Sequence, residues 1–224
     1  MSSDDTHSAA RKPGGNRTSD ARCEGGSEPD LAWLARSHFE ECAANAEGCA
    51  KFVGDDLALC AQTIVETFFN DGKVLIGSDA DSVCAAQRLS ALLSDKFECP
   101  RLGLPAFDLS SGQAAVAAIA QSEGWEQTLA KQVGSLGNAN DALILLGCDP
   151  DAPILAQAVE AAHRRAMSVI ALLGQGSGDV AQRLADRDIL IDVGCGRPAR
   201  ALEMQLASIH ALCGCVDKLL TGMG

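Results

Sequence analysis

The sequence predicts an α/β protein: a three-layer αβα sandwich around a five-stranded parallel sheet, preceded by two N-terminal helices. From residue 72 onward, five short apolar runs alternate with longer helical patterns, which is the order expected of successive βα units. The run at 142–146 reads Ala-Leu-Ile-Leu-Leu, and a strand without polar residues is typical of a sheet covered on both faces. The chain has 224 residues, of which 47% are hydrophobic, enough for one domain with a sizeable core.

The chain divides into a tail and one domain. Residues 1–29 contain few apolar side chains and many Ser, Gly, Asp and Arg, so we expect a disordered tail there. Residues 30–224 form the expected domain, which begins with a helical pair at 30–71 and continues as an α/β core at 72–220. Asp30 is the expected N-cap of the first helix.

The elements of the core follow one another as strand, turn and helix. The predicted strands span 73–78, 104–109, 141–147, 167–174 and 188–193. The predicted helices span 55–70, 82–97, 112–121, 153–166, 178–185 and 198–220, after a first helix that begins near residue 30. Ligands of such sheets bind at the carboxyl ends of the strands, so the turns that follow the strands are the expected location of a site.

Composition limits the partners and the compartment. The formal net charge of −12 disfavours direct binding of nucleic acid, because phosphate backbones are repelled by an acidic surface. We expect no membrane span, because no run approaches the roughly 20 apolar residues that a span needs. The first 26 residues have no apolar signal region, so we expect a cytoplasmic protein whose ten cysteines are mostly buried, reduced thiols. No Cys-x-x-Cys is present, and we expect no metal and no cofactor.

The turn after the third strand has the position of a phosphate site but not its chemistry. A strand that ends at Gly147 leads into a helix that begins at Pro153, and a helix N-terminus attracts anions. The turn carries Asp149 and Asp151 in place of hydroxyl donors. These carboxylates repel a phosphate, so we expect that the turn does not bind one and that Asp149 or Asp151 caps the following helix.

Several strings carry a resemblance to a known family. They are HFEE (38–41), NDGKVLI (70–76), KFECPRLGLPA (96–106), AIAQSEGWEQTLAKQVGSLGNANDALI (118–144), QAVEAAHRRAMSVIALLG (157–174) and RPARALEMQLASIHALCGCVD (197–217). With them the chain resembles the SIS (sugar isomerase) domain proteins of the phosphoheptose isomerase group. The resemblance implies the SIS fold, a five-stranded parallel sheet between helices, and assembly as a homotetramer.

The catalytic positions that the resemblance implies are altered. The glutamate base and histidine acid of the isomerases fall at Leu92 and Gln205, and neither side chain can transfer a proton at neutral pH. A further family histidine falls at Arg88 and a glutamine at Leu202. A metal site of the family would use these same positions, so the resemblance implies that it is lost.

Two sets of residues remain as candidates. The weak candidates for ligand binding are hydroxyls in the turns after the first and second strands: Ser82, Ser110 and Ser111. The candidates for a salt-bridge set or a contact between subunits lie at and after the start of the last helix: Arg197, Arg200, Glu203 and His210.

The altered positions favour a non-catalytic interpretation. In the DiaA branch of the family, tetramers bind the replication initiator DnaA, so the resemblance implies a scaffold that binds a DnaA-type protein and promotes initiation of chromosomal replication. Two alternatives stay open. One is a phosphoheptose isomerase that acts on D-sedoheptulose 7-phosphate, and the other is a sensor that binds a sugar derivative through the three serines.

Overall fold

The computed structural model describes residues 30–176 and 178–222. The predicted tail at 1–29 lies outside the described residues. The described helices are α1 (Leu31–Cys49), α2 (Val53–Phe69), α3 (Val83–Ser94), α4 (Gln113–Glu123), α5 (Thr128–Leu136), α6 (Pro153–Arg164), α7 (Asp179–Gln182) and α8 (Pro198–Thr221). The described strands are β1 (Val74–Ser78), β2 (Ala106–Asp108), β3 (Ala142–Gly147), β4 (Ser168–Leu173) and β5 (Ile189–Asp192).

All neighbouring strands are parallel, in the order β2-β1-β3-β4-β5. Every residue of β1 and β3 is buried, which agrees with the apolar run at 142–146. One face of the sheet packs against α2, α3 and α8, and the other packs against α5 and α6. The predicted α/β sandwich with a five-stranded parallel sheet and two leading helices is therefore confirmed.

Some boundaries differ from the prediction. Helix α5 was not predicted, since its nine residues include Gly134 and lie in a stretch without a clear start signal. Its apolar face, formed by Leu129, Ala130 and Val133, is nevertheless buried against the sheet. Helix α3 ends at Ser94 rather than near residue 97, and α7 is a single turn.

Helix α1 begins as predicted but buries little of its surface. The Asp30 carboxylate accepts a hydrogen bond of 2.9 Å from the backbone N–H of Trp33, which confirms the predicted N-cap. Cys49 is the buried residue of this helix, whereas its large apolar side chains are exposed: Leu31, Trp33, Leu34 and Phe39. Among the helices of 30–176 and 178–222, none is long and apolar enough to cross a membrane.

Candidate functional site

The strand order of the sheet reverses between β1 and β3. The chain runs from β1 outward to β2, and then returns across β1 to build β3, β4 and β5 on the other side. In open parallel sheets, a crevice forms where the loops above two such strands diverge, and ligands bind there. The loops above this point are 78–82 after β1 and 147–152 after β3.

A buried carboxylate occupies the base of this crevice. Asp79 Oδ2 accepts hydrogen bonds from the backbone N–H groups of Cys148 (2.6 Å) and Asp149 (3.0 Å). Its Oδ1 accepts another from the N–H of Ser82 (2.9 Å), at the start of α3. Three backbone donors near two helix N-termini form the type of environment that binds an anion, and the protein's own Asp79 fills it.

This arrangement corrects the expected role of the aspartates after β3. Helix α6 has Ala152 at its N-cap position, without a side-chain cap. Asp149 instead accepts a hydrogen bond of 3.0 Å from the N–H of Asp151, and Asp151 accepts one of 2.9 Å from the N–H of Asp179. The carboxylate that takes the place of an anion is therefore Asp79, not either predicted cap.

The three candidate serines belong to two separate hydrogen-bonded groups. Ser82 is fully buried, and its hydroxyl lies 3.4 Å from the Cys148 thiol. Burial raises the pKa of the Cys148 thiol, and the charges of Asp79 and Asp81 add to the increase despite the Ser82 hydrogen bond, so Cys148 is a neutral thiol at pH 7.

The second group lies after β2. The hydroxyls of Ser110 and Ser111 both donate to Asp108 Oδ2, at 2.7 and 2.6 Å. These two serines therefore stabilise the turn after β2, and their role in ligand binding stays a prediction.

A cavity of about 270 Å³ opens above the crevice. Its walls combine carboxylates with an exposed indole and the start of α6: Asp79, Ala80, Asp81, Trp125, Glu126, Asp149, Ala152, Pro153 and Ile154. The side chains of Asp81 and Glu126 form no hydrogen bond or ion pair with the rest of the described chain. These two carboxylates are therefore available to a ligand or to a proton.

The two positions at which the resemblance places the isomerase base and acid lie in the interior. Leu92 packs in the apolar core between the sheet and α8. Gln205 is fully buried, and its amide Nε2 donates to the carbonyls of Gly147 (3.0 Å) and Leu172 (3.3 Å). Gln205 therefore ties α8 to the ends of β3 and β4. Its Oε1 is buried without a hydrogen-bond partner among the described residues.

The predicted salt-bridge set at the start of α8 connects that helix to α1. His38 Nε2 lies 2.8 Å from Glu203 Oε1, and Arg197 Nη1 lies 2.9 Å from Glu41 Oε2. Arg200 contacts both His38 and Glu203. Burial raises the pKa of Glu203. The hydrogen bond with Cys42, the charge of Arg200 and the contact with His38 together outweigh that effect, so its pKa lies below the usual value.

His210, the last of the interface candidates, lies further along α8. Its ring stacks on Phe97, with the ring centroids 5.5 Å apart and the planes at 20°. Its Nε2 is buried and has no hydrogen-bond partner within the described part of the chain. The set at the start of α8 forms contacts within one chain, and an additional role of these four residues between subunits stays a prediction.

Comparison with known proteins agrees with this architecture. A family model described as SIS domain matches residues 38–174. The phosphoheptose isomerase of Neisseria gonorrhoeae is 35% identical over 188 residues, which cover 84% of this chain and 95% of that protein. The chain is a SIS-domain protein of the phosphoheptose isomerase family.

Other relatives in the family lead to the same assignment. The phosphoheptose isomerase of Laribacter hongkongensis is also 35% identical, over 86% of this chain and 98% of its own. Solved structures of the enzymes from Neisseria gonorrhoeae and Francisella tularensis superpose with TM-scores of 0.79 and 0.80, both at 31% identity. The superpositions cover 84% of this chain in both cases, and 99% and 98% of the respective enzymes.

These relatives contradict the non-catalytic interpretation. The proteins from these three organisms are about one-third identical to this chain over nearly their full length. All of them are named phosphoheptose isomerase, and none is named for binding DnaA or for replication. The interpretation as a DnaA-binding scaffold and pseudoenzyme is therefore wrong. It relied on Leu92, Gln205 and the aspartates of the turn after β3, although other ionisable groups line the crevice of this SIS-domain protein.

The metal site that the family resemblance implies does not fit these residues. Leu92 and Leu202 have no donor atoms, and the Gln205 amide nitrogen is bound to backbone carbonyls. Within 30–176 and 178–222, no group of three or more His, Cys, Asp or Glu side chains is arranged to hold a metal ion. No chemical step is therefore assigned to a metal.

Sequence reasoning missed several residues of the site. Trp125 and Glu126 lie in a 3-10 turn before α5, a helix that was itself missed. His38 and Glu41 lie on α1 in the string HFEE, which carried the resemblance but was not considered as part of a site. The strand order would have revealed the importance of Asp79, since Asp79 follows the strand at which that order reverses.

Proposed function

We propose that this SIS-domain protein is a sugar isomerase that interconverts the ketose and aldose forms of a sugar phosphate. The similarity to phosphoheptose isomerases, which extends over 95% of the Neisseria gonorrhoeae enzyme, carries the proposal. The cavity at the β1–β3 crevice supports it, because a site of this kind needs an accessible pocket at the carboxyl ends of the strands. Sedoheptulose 7-phosphate is the first substrate to test.

The reaction needs one base that moves a proton between adjacent carbons. The base removes a proton from C1 of the ketose to give an enediol, and the proton returns to C2, while the hydroxyl proton passes from O1 to O2. A carboxylate can do this only if its oxygens are free. Asp79 is bound to three backbone donors, and Asp149 accepts from the N–H of Asp151. The carboxylates of the cavity that form no hydrogen bond among the described residues are therefore Asp81 and Glu126.

The test is an isomerase assay with matched variants. Sedoheptulose 7-phosphate is incubated with the wild-type chain, Asp81→Asn, Glu126→Gln and the control Asp186→Asn, which changes an exposed aspartate of the loop before β5. We expect turnover by the wild type and the control. One of the two cavity variants should lower kcat by about 10²- to 10⁴-fold, the usual contribution of a general base. No turnover by the wild type, or full activity of both cavity variants, would overturn this proposal.

The exposed apolar side chains of α1 support a further proposal, that the protein forms a homo-oligomer. Leu31, Trp33, Leu34 and Phe39 are 59–75% exposed, and large apolar side chains exposed along one helix are typical of an interaction surface. Light scattering should give a mass of several chains for the wild type and a smaller mass for Trp33→Glu with Leu34→Glu. A monomeric wild type would contradict this assembly.

A further inference from the structure

A second cavity lies at the carboxyl end of β5, where α8 begins. It has a volume of about 300 Å³, and residues of α1, of the loop after β5 and of α8 line it: Glu41, Ala44, Asn45, Gly194, Cys195, Gly196, Arg197 and Arg200. In contrast to the β1–β3 crevice, whose charged lining residues are all acidic, this cavity contains two arginines and one glutamate.

Unpaired backbone donors surround the N-terminus of α8. This helix has 24 residues, and its N-cap residue, Arg197, provides no side-chain cap. Pro198 at the first helical position has no N–H, and the N–H groups of Gly196, Arg197 and Ala199 have no acceptor within the described part of the chain. Free donors and the positive end of a long helix dipole favour an anion at this place.

A buried cation faces the same cavity. The Arg200 side chain is 4% exposed, and its Nε is buried without a hydrogen-bond partner among the described residues. The nearest acceptor is Glu41 Oε2, which lies 3.4 Å from this nitrogen. A buried guanidinium with an unused donor is costly to desolvate, so a well-placed anion would stabilise it.

Glu41 lies between the two arginines, of which Arg200 is also paired with Glu203, and Glu41 can be displaced. The same Oε2 that lies near Arg200 also accepts from Arg197 Nη1 at 2.9 Å. The Glu41 side chain is 51% exposed and the Arg197 side chain 69%, so both can reorient into solvent without disturbing the core. A ligand with more acceptor oxygens than one carboxylate would replace Glu41.

The buried residue Cys148 lies between the crevice and the start of α8. Cys148 Sγ lies 3.4 Å from Ser82 Oγ at the crevice and 3.6 Å from the carbonyl of Pro198 at the start of α8. The backbone donors of the crevice are already bound to Asp79, whose charge repels a phosphate. Of the two cavities, only the one at α8 therefore has cationic side chains in its lining that can bind a phosphate.

We propose that the start of α8 is an anion site that binds the phosphate group of a sugar phosphate through Arg197, Arg200 and the free backbone N–H groups, in exchange for Glu41. The proposal rests on the proposed isomerase function for the identity of the ligand. The anion site itself can be tested with inorganic phosphate, without turnover.

The experiment is calorimetric titration of the full chain with inorganic phosphate, and separately with sedoheptulose 7-phosphate. The variants are Arg197→Gln, Glu41→Gln, Asp79→Asn and the control Asp186→Asn. We expect Arg197→Gln to weaken phosphate binding by about tenfold or more, because it removes a charge-assisted contact. Glu41→Gln should strengthen binding several-fold, because it removes the competing charge, and Asp186→Asn should have no effect.

The outcomes separate this site from the proposed function. Tighter phosphate binding by Asp79→Asn, together with unchanged binding by Arg197→Gln, would place the phosphate in the crevice and overturn the α8 site. Absence of phosphate binding by both the wild type and Glu41→Gln would overturn it as well. Turnover with an unchanged KM in Arg197→Gln would leave the isomerase function standing without this site. Binding that depends on Arg197 without any turnover would leave the site standing without the function.

Discussion

Arg101 Nε donates a hydrogen bond of 2.6 Å to Asp217 Oδ1 in the interior of the protein, where the two side chains are only 3% and 4% exposed. The other guanidinium nitrogens of Arg101 donate to backbone carbonyls that include those of Leu92 and Leu93, each at 2.8 Å. One side chain thus joins the end of α3 to the second half of α8, the two helices that cover the same face of the sheet.

Arg101→Ala should therefore be strongly destabilising. The substitution leaves the Asp217 carboxylate buried without its cation, which costs about 3–5 kcal/mol in comparable sites. Urea denaturation gives the free energy of unfolding. The control is Lys131→Ala, because Lys131 forms an exposed ion pair with Glu123 and should contribute less than about 1 kcal/mol. If both variants lost the same free energy of unfolding, burial of the Arg101–Asp217 pair would not be what makes it important for stability.

Asp79→Ala should lower the free energy of unfolding by about 2–4 kcal/mol, because three buried backbone N–H groups lose their acceptor. Asp81→Ala, two residues further on, removes an exposed carboxylate without a partner. It should change the free energy of unfolding by less than about 0.5 kcal/mol. Thermal unfolding of the two variants compares the positions directly. If Asp81→Ala were the more destabilising, the assignment of Asp79 as the internal anion would be wrong.

The ion pairs of Glu203 at the start of α8 should make the stability of the protein depend on pH in the acidic range. The pKa of Glu203 in the folded protein is below its ordinary value of 4.5, since the contacts with Cys42, Arg200 and His38 outweigh the effect of burial. A lowered folded pKa gives stability that is complete above pH 4.5 and is lost as the pH falls through the folded pKa.

Glu203→Gln should remove part of this dependence. Below pH 4.5, the free energy of unfolding should fall less steeply in Glu203→Gln than in the wild type, as chemical denaturation at a series of pH values can measure. Glu47→Gln is the control, since Glu47 pairs with Lys51 only at 3.9 Å on an exposed face. The same slope in the wild type and Glu203→Gln would exclude the contribution of Glu203.

The cysteines should differ sharply in reactivity. Burial raises the pKa of the Cys60 and Cys213 thiols to about 12, so almost none of either is the reactive thiolate at pH 8. Cys84, at the start of α3, is exposed. Iodoacetamide at pH 8 should label Cys84 in the folded protein, and peptide mass spectrometry should find Cys60 and Cys213 labelled only after denaturation. Labelling of Cys60 without denaturant would show that α2 opens from the sheet.

The pattern of apolar and polar residues along the chain predicted most of the fold. The apolar run at 142–146 predicted β3, because a strand that is buried on both faces has to be apolar throughout. The pattern around Thr128 did not predict α5, because nine residues that include a glycine form a helix only when the sheet supplies the packing surface.

The site was less accessible to prediction, because its contacts join distant parts of the chain. Asp79 binds the N–H groups of residues that lie about seventy positions later, so sequence spacing does not connect them. The conclusion that the protein is non-catalytic failed for a related reason. Its main ground was the pair Leu92 and Gln205, and both side chains lie in the interior, whereas the carboxylates Asp81 and Glu126 line the cavity.

The order of strands in the sheet also has a consequence for synthesis on the ribosome. The interior strand β1 ends at Ser78, but its partner β3, which covers one of its two edges, is complete only at Gly147. Until β3 has left the ribosome, the apolar β1 presents an unpaired edge on that side, even after the short strand β2 has been made. The nascent chain is therefore exposed to aggregation over that interval, and chaperones that bind extended apolar segments should associate with it there.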